Sequence, residues 1–191
     1  WGPRLEHILR FTVLTLLNYP KASLLDIQPL LTDYEFRKTV LSYVTDNTIL
    51  RFWFNEFQPL SPQLKNEYIS PIINKVGLFT AHPLIRNIIG QERSSFDILE
   101  IMNTRKIFIA NLSKGVLGEA GTQFFGSLLI SQFQIASLQR INLPQENRVP
   151  FYLFIDEIHS FITLSFADIL SESRKFGLAL FMTHQFFDQL K

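Results

Sequence analysis

Apolar and polar positions alternate with two different periods along the chain. In the first ninety residues the period is helical. Leu5, Ile8, Leu9, Val13, Leu16 and Leu17 recur on one face behind Pro3 and ahead of Pro20, which predicts an amphipathic helix over residues 3–18. Thr32 followed three residues later by Glu35 has the capping-box spacing and predicts a second start, continued by Phe36, Val40, Tyr43 and Val44. Ser61-Pro62 reads as an N-cap with proline in the first turn, ahead of Leu64, Tyr68 and Ile72; Pro71 then kinks or restarts that helix. His82-Pro83 and Gly90 close the region. With no strand signal before them, residues 1–90 are expected to form an all-helical lobe.

From residue 91 to 191 short apolar runs alternate with a longer helical pattern. Lys106–Leu112 reads as a strand buried on both faces, and residues 118–140 as a long helix carrying Phe124, Phe125, Leu128, Leu129 and Phe133. A polar connection over 142–148 leads to the run Phe151–Ile155, which ends abruptly at Asp156-Glu157. A helix is expected over about 166–176, with Gly177 as its C-cap, before a third run, Leu178–Met182. Strand, helix, strand, helix, strand predicts an α/β fold with a parallel sheet and right-handed crossovers.

Composition narrows the classes. Hydrophobic residues make up 47% and charged residues 18% of 191, with 19 phenylalanines, so a disordered chain is excluded. The formal charge of +1 predicts no global field for nucleic acid or membrane, and any such contact must be local. The lack of cysteine excludes disulfides, thiol catalysis and thiolate metal sites. No apolar run approaches the ~18 residues of a membrane span and no signal-peptide pattern is present, so a soluble, cytoplasmic protein is expected. The sequence opens on Trp1 rather than Met and stops just after an apolar segment, which reads as a piece excised from a longer protein.

In a parallel sheet, ligands bind beyond the carboxyl ends of the strands. The residues there are Asn111–Gly115, Asp156-Glu157 and Thr183-His184-Gln185. Apolar residues followed by Asp-Glu form the Walker B pattern, in which Asp156 holds Mg²⁺ through its water shell and Glu157 orients and deprotonates the attacking water. A strand ending in a solvated acidic turn would carry the same dipeptide. Gln185 is placed to sense a γ-phosphate or position the water. Arg174 precedes the third run and offers a guanidinium to a nucleotide held by an adjacent subunit; its plainer reading, like that of Lys175, is a cation favoured by a helix C-terminus. The acidic pair, the glutamine and the guanidinium are expected on one shared rim. Four scattered histidines give no metal-ligand spacing, and the sequon Asn111-Leu112-Ser113 falls at an expected strand end. Phe52, Trp53, Phe54 and Phe57 read as core packing rather than as a partner surface.

The order of motifs resembles a family. Ile88–Gln91, Ile107–Gly115, Phe151–Glu157 and the stretch from Ser171 to Gln185 are similar to conjugative coupling proteins, the TraG/TraD-type ATPases of type IV secretion within the HerA/FtsK class of RecA-like motors. The resemblance implies a RecA-like core over 91–191 with the helical lobe as an insertion, and ATP and Mg²⁺ as cofactors. It implies DNA passing through the pore of a homo-hexameric ring, with relaxosome and secretion components as partners. It also implies a place at the inner face of the membrane through a segment outside these residues. By the same resemblance Asp156 and Glu157 match the Walker B pair, Gln185 the strand-end glutamine, and Arg174 the arginine reaching a neighbour's nucleotide. The departure is the phosphate loop: no Gly-x-x-x-x-Gly-Lys-Ser/Thr occurs, and in Ser113–Gly118 the lysine precedes the glycines. In the family that loop lies upstream of the helical lobe, so these residues alone are expected to bind nucleotide poorly. The other readings are a HerA-like repair or FtsK-like segregation motor, and a non-catalytic helical adaptor that docks a secretion or relaxosome partner.

Overall fold

The structure is a computed structural model that describes residues 2–161 and 173–183. The chain divides into two compact units, Trp1–Arg93 and Ser94–Lys191.

In the first unit every regular element among the described residues is helical: α1 (Pro3–Leu16), a 3₁₀ turn (Leu24–Asp26), α2 (Ile27–Thr32), α3 (Tyr34–Leu41), α4 (Asn47–Arg51), a π-helical turn (Phe52–Phe57), α5 (Pro62–Thr80) and α6 (Pro83–Ile89). Ser61 caps α5 as the sequence predicts, accepting the Leu64 amide at 3.3 Å, and the helix runs on through Pro71 instead of restarting there. The expected Thr32–Glu35 box does not form. Asp33 is the cap, its Oδ1 accepting the amides of Glu35 and Phe36 at 2.8 and 3.1 Å, while Thr32 closes α2 with its hydroxyl on Gln28. The carboxylate takes the position because it accepts two bonds and offsets the helix dipole. A reciprocal box forms instead at Ser23 and Asp26. The core gathers Leu30, Val40, Ile72 and the aromatic cluster, of which Phe52, Trp53 and Phe57 are buried and Phe54 is half exposed. The Trp53 Nε1–H donates to Thr15 Oγ1 at 2.7 Å, which satisfies the polar atom of the buried indole.

The second unit contains α7 (Ile98–Asn103), α8 (Lys114–Leu138), β1 (Phe151–Ile155) and β2 (Leu178–Met182). The two strands pair in parallel with Phe151 opposite Leu178 and Ile155 opposite Met182. Their connection passes through residues 162–172, so the helix expected over 166–176 lies largely outside the described residues; Ser173–Phe176 is a 3₁₀ turn closed by Gly177 at φ 78°. Phe151, Leu153 and Ile155 of β1 join Leu178 and Leu180 of β2 in packing with Ile130 and Phe133 of α8, and Phe133 stacks on Phe151 at 5.4 Å between centroids. The alternate residues are open: Phe154 is 73% exposed and stacks on Phe181 at 4.8 Å. These runs were expected to be buried on both faces, and the difference is the alternation itself, since α8 covers only the odd positions of β1.

The first of the three expected strands does not form among the described residues. Residues 106–112 have no regular secondary structure and belong to no ladder among the described residues, and Ile107 and Ile109 are 90% and 87% exposed. Phe108 and Leu112, four positions apart, pack on the two clusters of this unit. Among the described residues no ladder hydrogen bonds reach this segment, and pairing rather than hydrophobicity defines a strand.

The start of both strands is held by arginines. Arg140 is fully buried, and its Nη1–H donates to the carbonyls of Val149 and Phe176 at 2.9 and 3.2 Å. Burial first, and then the charge of Arg148, push its pKa below the ordinary value. Arg148 in turn donates to the carbonyls of Leu143, Lys175 and Ile141. Among the described residues no helix is long and apolar enough to cross a membrane.

Candidate functional site

β1 ends where its hydrophobic alternation stops, and the chain turns there with Glu157 in the left-handed conformation, φ 50° and ψ 48°. That conformation costs an L-residue about 1 kcal/mol, and non-glycine residues held there concentrate at functional sites. It is stabilised by the neighbouring strand end. Thr183 N–H donates to Ile155 O at 3.0 Å, Ile158 N–H donates to Thr183 O at 3.1 Å, and the Thr183 hydroxyl donates to Asp156 Oδ1. The Glu157 amide donates to the same Asp156 oxygen at 3.0 Å. Asp156 is therefore fixed by two donors while remaining exposed to solvent, and Glu157 is half-buried.

The carboxylate of Glu157 faces Lys114, the first residue of α8, with Nζ 3.5 Å from Oε2. Nothing local in the sequence pairs them, because a lysine ahead of glycines is not a phosphate-loop lysine. Gly118, at φ 70° and ψ 168°, breaks the helical geometry of α8 just beyond its first turn, which carries Lys114. A pocket of about 400 Å³ opens beside this rim. Its mouth is lined by Ser113, Lys114, Asp156 and Glu157, and its floor by apolar side chains that include Phe133 and Phe161.

Of the four residues expected on one rim, Asp156 and Glu157 are together and Thr183 joins them. Gln185 lies outside the described residues. Arg174 is exposed in the turn that precedes β2. In a parallel pair the start of β2 lies beside the start of β1, so the length of the strands separates Arg174 from Asp156, roughly 13 Å at about 3.3 Å per residue. The guanidinium is therefore not on the rim of its own chain, which corrects the expectation of a single shared edge.

The donor set at the rim is hard oxygen: two carboxylates and a hydroxyl. Among the described residues no group of three or more His, Cys, Asp or Glu side chains is placed to hold a metal. This set fits Mg²⁺, which is bound by one or two carboxylates with water and phosphate completing the shell, better than a metal that needs a full protein cage. Comparison of the chain with known protein families, with curated proteins and with solved structures finds no match.

Proposed function

We propose that these residues carry the Walker B strand of a RecA-like, DNA-translocating ATPase of the conjugative coupling type, which hydrolyses ATP between the subunits of a ring. The observation that supports this reading most is the clasp between the two strand ends: Thr183 and the Glu157 amide hold Asp156, while the left-handed turn presents Glu157 beside an open pocket. A solvated acidic turn needs neither the clasp nor the strained backbone.

In this reading Asp156 holds Mg²⁺ through water, and bound Mg²⁺ supplies charge neutralisation at the phosphates. Glu157 accepts the proton of the attacking water, and Gln185 stands by the γ-phosphate. Arg174, at the far end of the strands, serves the nucleotide of an adjacent subunit. The reading requires a phosphate-binding loop supplied from outside these 191 residues, since the sequence has none. DNA in the ring pore, relaxosome and secretion proteins as partners, a hexameric ring and a place at the cytoplasmic face of a membrane follow from the resemblance.

The test is ATP turnover, measured as phosphate release in the whole ring-forming protein. Glu157→Gln keeps shape and removes the base, so turnover falls by about 100-fold or more while nucleotide binding, read by a fluorescent analogue, stays within a factor of about two. Turnover that survives this substitution rejects the role of Glu157 and with it the motor reading.

A further inference from the structure

The first unit contains a second concave site. α3 and the π-helical turn enclose a pocket of about 240 Å³ lined by Tyr34, Arg37, Lys38, Phe54 and Gln58, with Leu41 and Ser42 beside them. Its chemistry is unlike that of a packing defect. Arg37 is 7% exposed, and no ion pair ties it to a carboxylate among the described residues. Its Nη1–H donates to the carbonyls of Leu30 and Leu31 at 2.9 and 3.2 Å, and its guanidinium lies 5.4 and 5.7 Å from the ring centroids of Phe57 and Trp53. Its Nε has no hydrogen-bond partner. Asp33 is within electrostatic reach and its charge favours the guanidinium, but its Oδ1 caps α3 and no ion pair closes between the two. A buried cation ordinarily has a counter-charge, and here the lining supplies none: Arg37 and Lys38 are basic, and no lining residue is acidic.

Two further features point the same way. Tyr34 and Phe54, 53% and 50% exposed, stand at the pocket as open aromatic surface in a unit whose other cluster rings, Phe52, Trp53 and Phe57, are buried. The wall that carries Phe54 is a six-residue π-helix, a geometry that is rare and concentrated at functional sites.

We infer that this pocket binds a carboxylate carried on a small apolar or aromatic body, the carboxylate meeting Arg37 and Lys38 and the body lying between Tyr34 and Phe54. A carboxylate suits the planar fork of a guanidinium. The volume is below the roughly 300–1,000 Å³ of sites for larger ligands, so the pocket takes a group the size of one residue: a free organic acid, or the C-terminal residue of a polypeptide. The site is independent of the strand-end rim and stands whether or not the chain is part of a motor.

The experiment is an NMR titration of the 191-residue chain, following the Arg37 Nε–H and the amides of Phe54 and Gln58. Four probes are used: N-acetylphenylalanine, its uncharged C-terminal amide, inorganic phosphate, and a hexapeptide ending in phenylalanine with a free carboxylate. The acid is expected to give saturable shifts at these three positions, with the amide and phosphate at least tenfold weaker. A hexapeptide that binds tenfold tighter than the acid identifies a chain terminus as the source, and equal binding identifies a free acid. Arg37 also ties α2 to α3, so the variants are the exposed Phe54→Ala, expected to weaken the acid about tenfold through loss of ring contact, and Lys38→Gln, about threefold through loss of an exposed charge. Equal shifts with acid and amide, absence of saturation, or unchanged affinity in both variants overturns the proposal.

Discussion

Gly126 gives a test in which two local rules predict opposite signs. It is buried within α8, where a glycine-to-alanine change normally stabilises by about 0.5–1 kcal/mol because glycine loses more backbone freedom on folding. A Cβ built at this position runs into the ring of Phe161, which packs with Ile130, Ile155 and Ile158 below the strand-end rim. The obstacle is a ring in a filled cluster and not the free end of a flexible chain, so the ring must move, and forced overpacking costs about 1–3 kcal/mol. The expected net effect of Gly126→Ala is a loss of about 1–2 kcal/mol. Phe161→Leu alone costs about 1 kcal/mol, and the two together cost less than their sum by about 1 kcal/mol or more, because the smaller side chain vacates the contested space. Urea unfolding followed by far-UV circular dichroism reads both units, while tryptophan fluorescence reads the first, since Trp1 and Trp53 both belong to it. The loss should be confined to the transition that fluorescence does not report. A stabilised Gly126→Ala, or strictly additive single and double variants, would refute the assignment of Phe161 to this contact.

Two other outcomes check the backbone geometry. Gly77 lies inside α5 with nothing within 4 Å of a built Cβ, so Gly77→Ala is expected to stabilise the first unit by about 0.5–1 kcal/mol, read as a higher urea midpoint in Trp53 fluorescence. At Glu157 the usual order reverses: both Glu157→Gly and Glu157→Ala lose the exposed pair with Lys114, but only glycine accepts φ 50° without strain, so the glycine variant should be the more stable of the two by about 1 kcal/mol in urea unfolding followed by far-UV circular dichroism.

The elements legible in the sequence were those whose cause is local. Ser61-Pro62 marks a helix start through an amide and a ring, and Phe151–Ile155 and Leu178–Met182 mark strands through apolar runs cut short by polar residues. The segment 106–112 carries the same kind of run but joins no ladder among the described residues, and an apolar run records hydrophobicity without recording a partner. Thr32 lost to Asp33 because two adjacent residues could each cap and only the geometry of the turn decides between them. At the candidate site, Asp156 and Glu157 were readable from the strand end. The contacts from Lys114 and Thr183 were not, because they join residues far apart in sequence through the packing of α8 and the strand pairing. Arg37 was missed for the opposite reason: a cation within a helical pattern reads as solvated surface, and nothing local announces that it turns inward beneath aromatic rings.

The two-stranded sheet has a further consequence for how the second unit is made. A pair of strands alone is marginal in water, and here the covering surface of α8 precedes both strands in the chain. During synthesis at about 5–20 residues per second, the helix emerges first with Phe133 meeting the earlier residues Ile98, Ile101 and Met102, and it must wait some seconds until Leu178 completes the cluster of Phe133 and Leu180 that of Ile130. The half-made unit is in that interval an adhesive surface, and the order of its parts makes translation speed through the β1–β2 connection a determinant of how much nascent chain needs a chaperone.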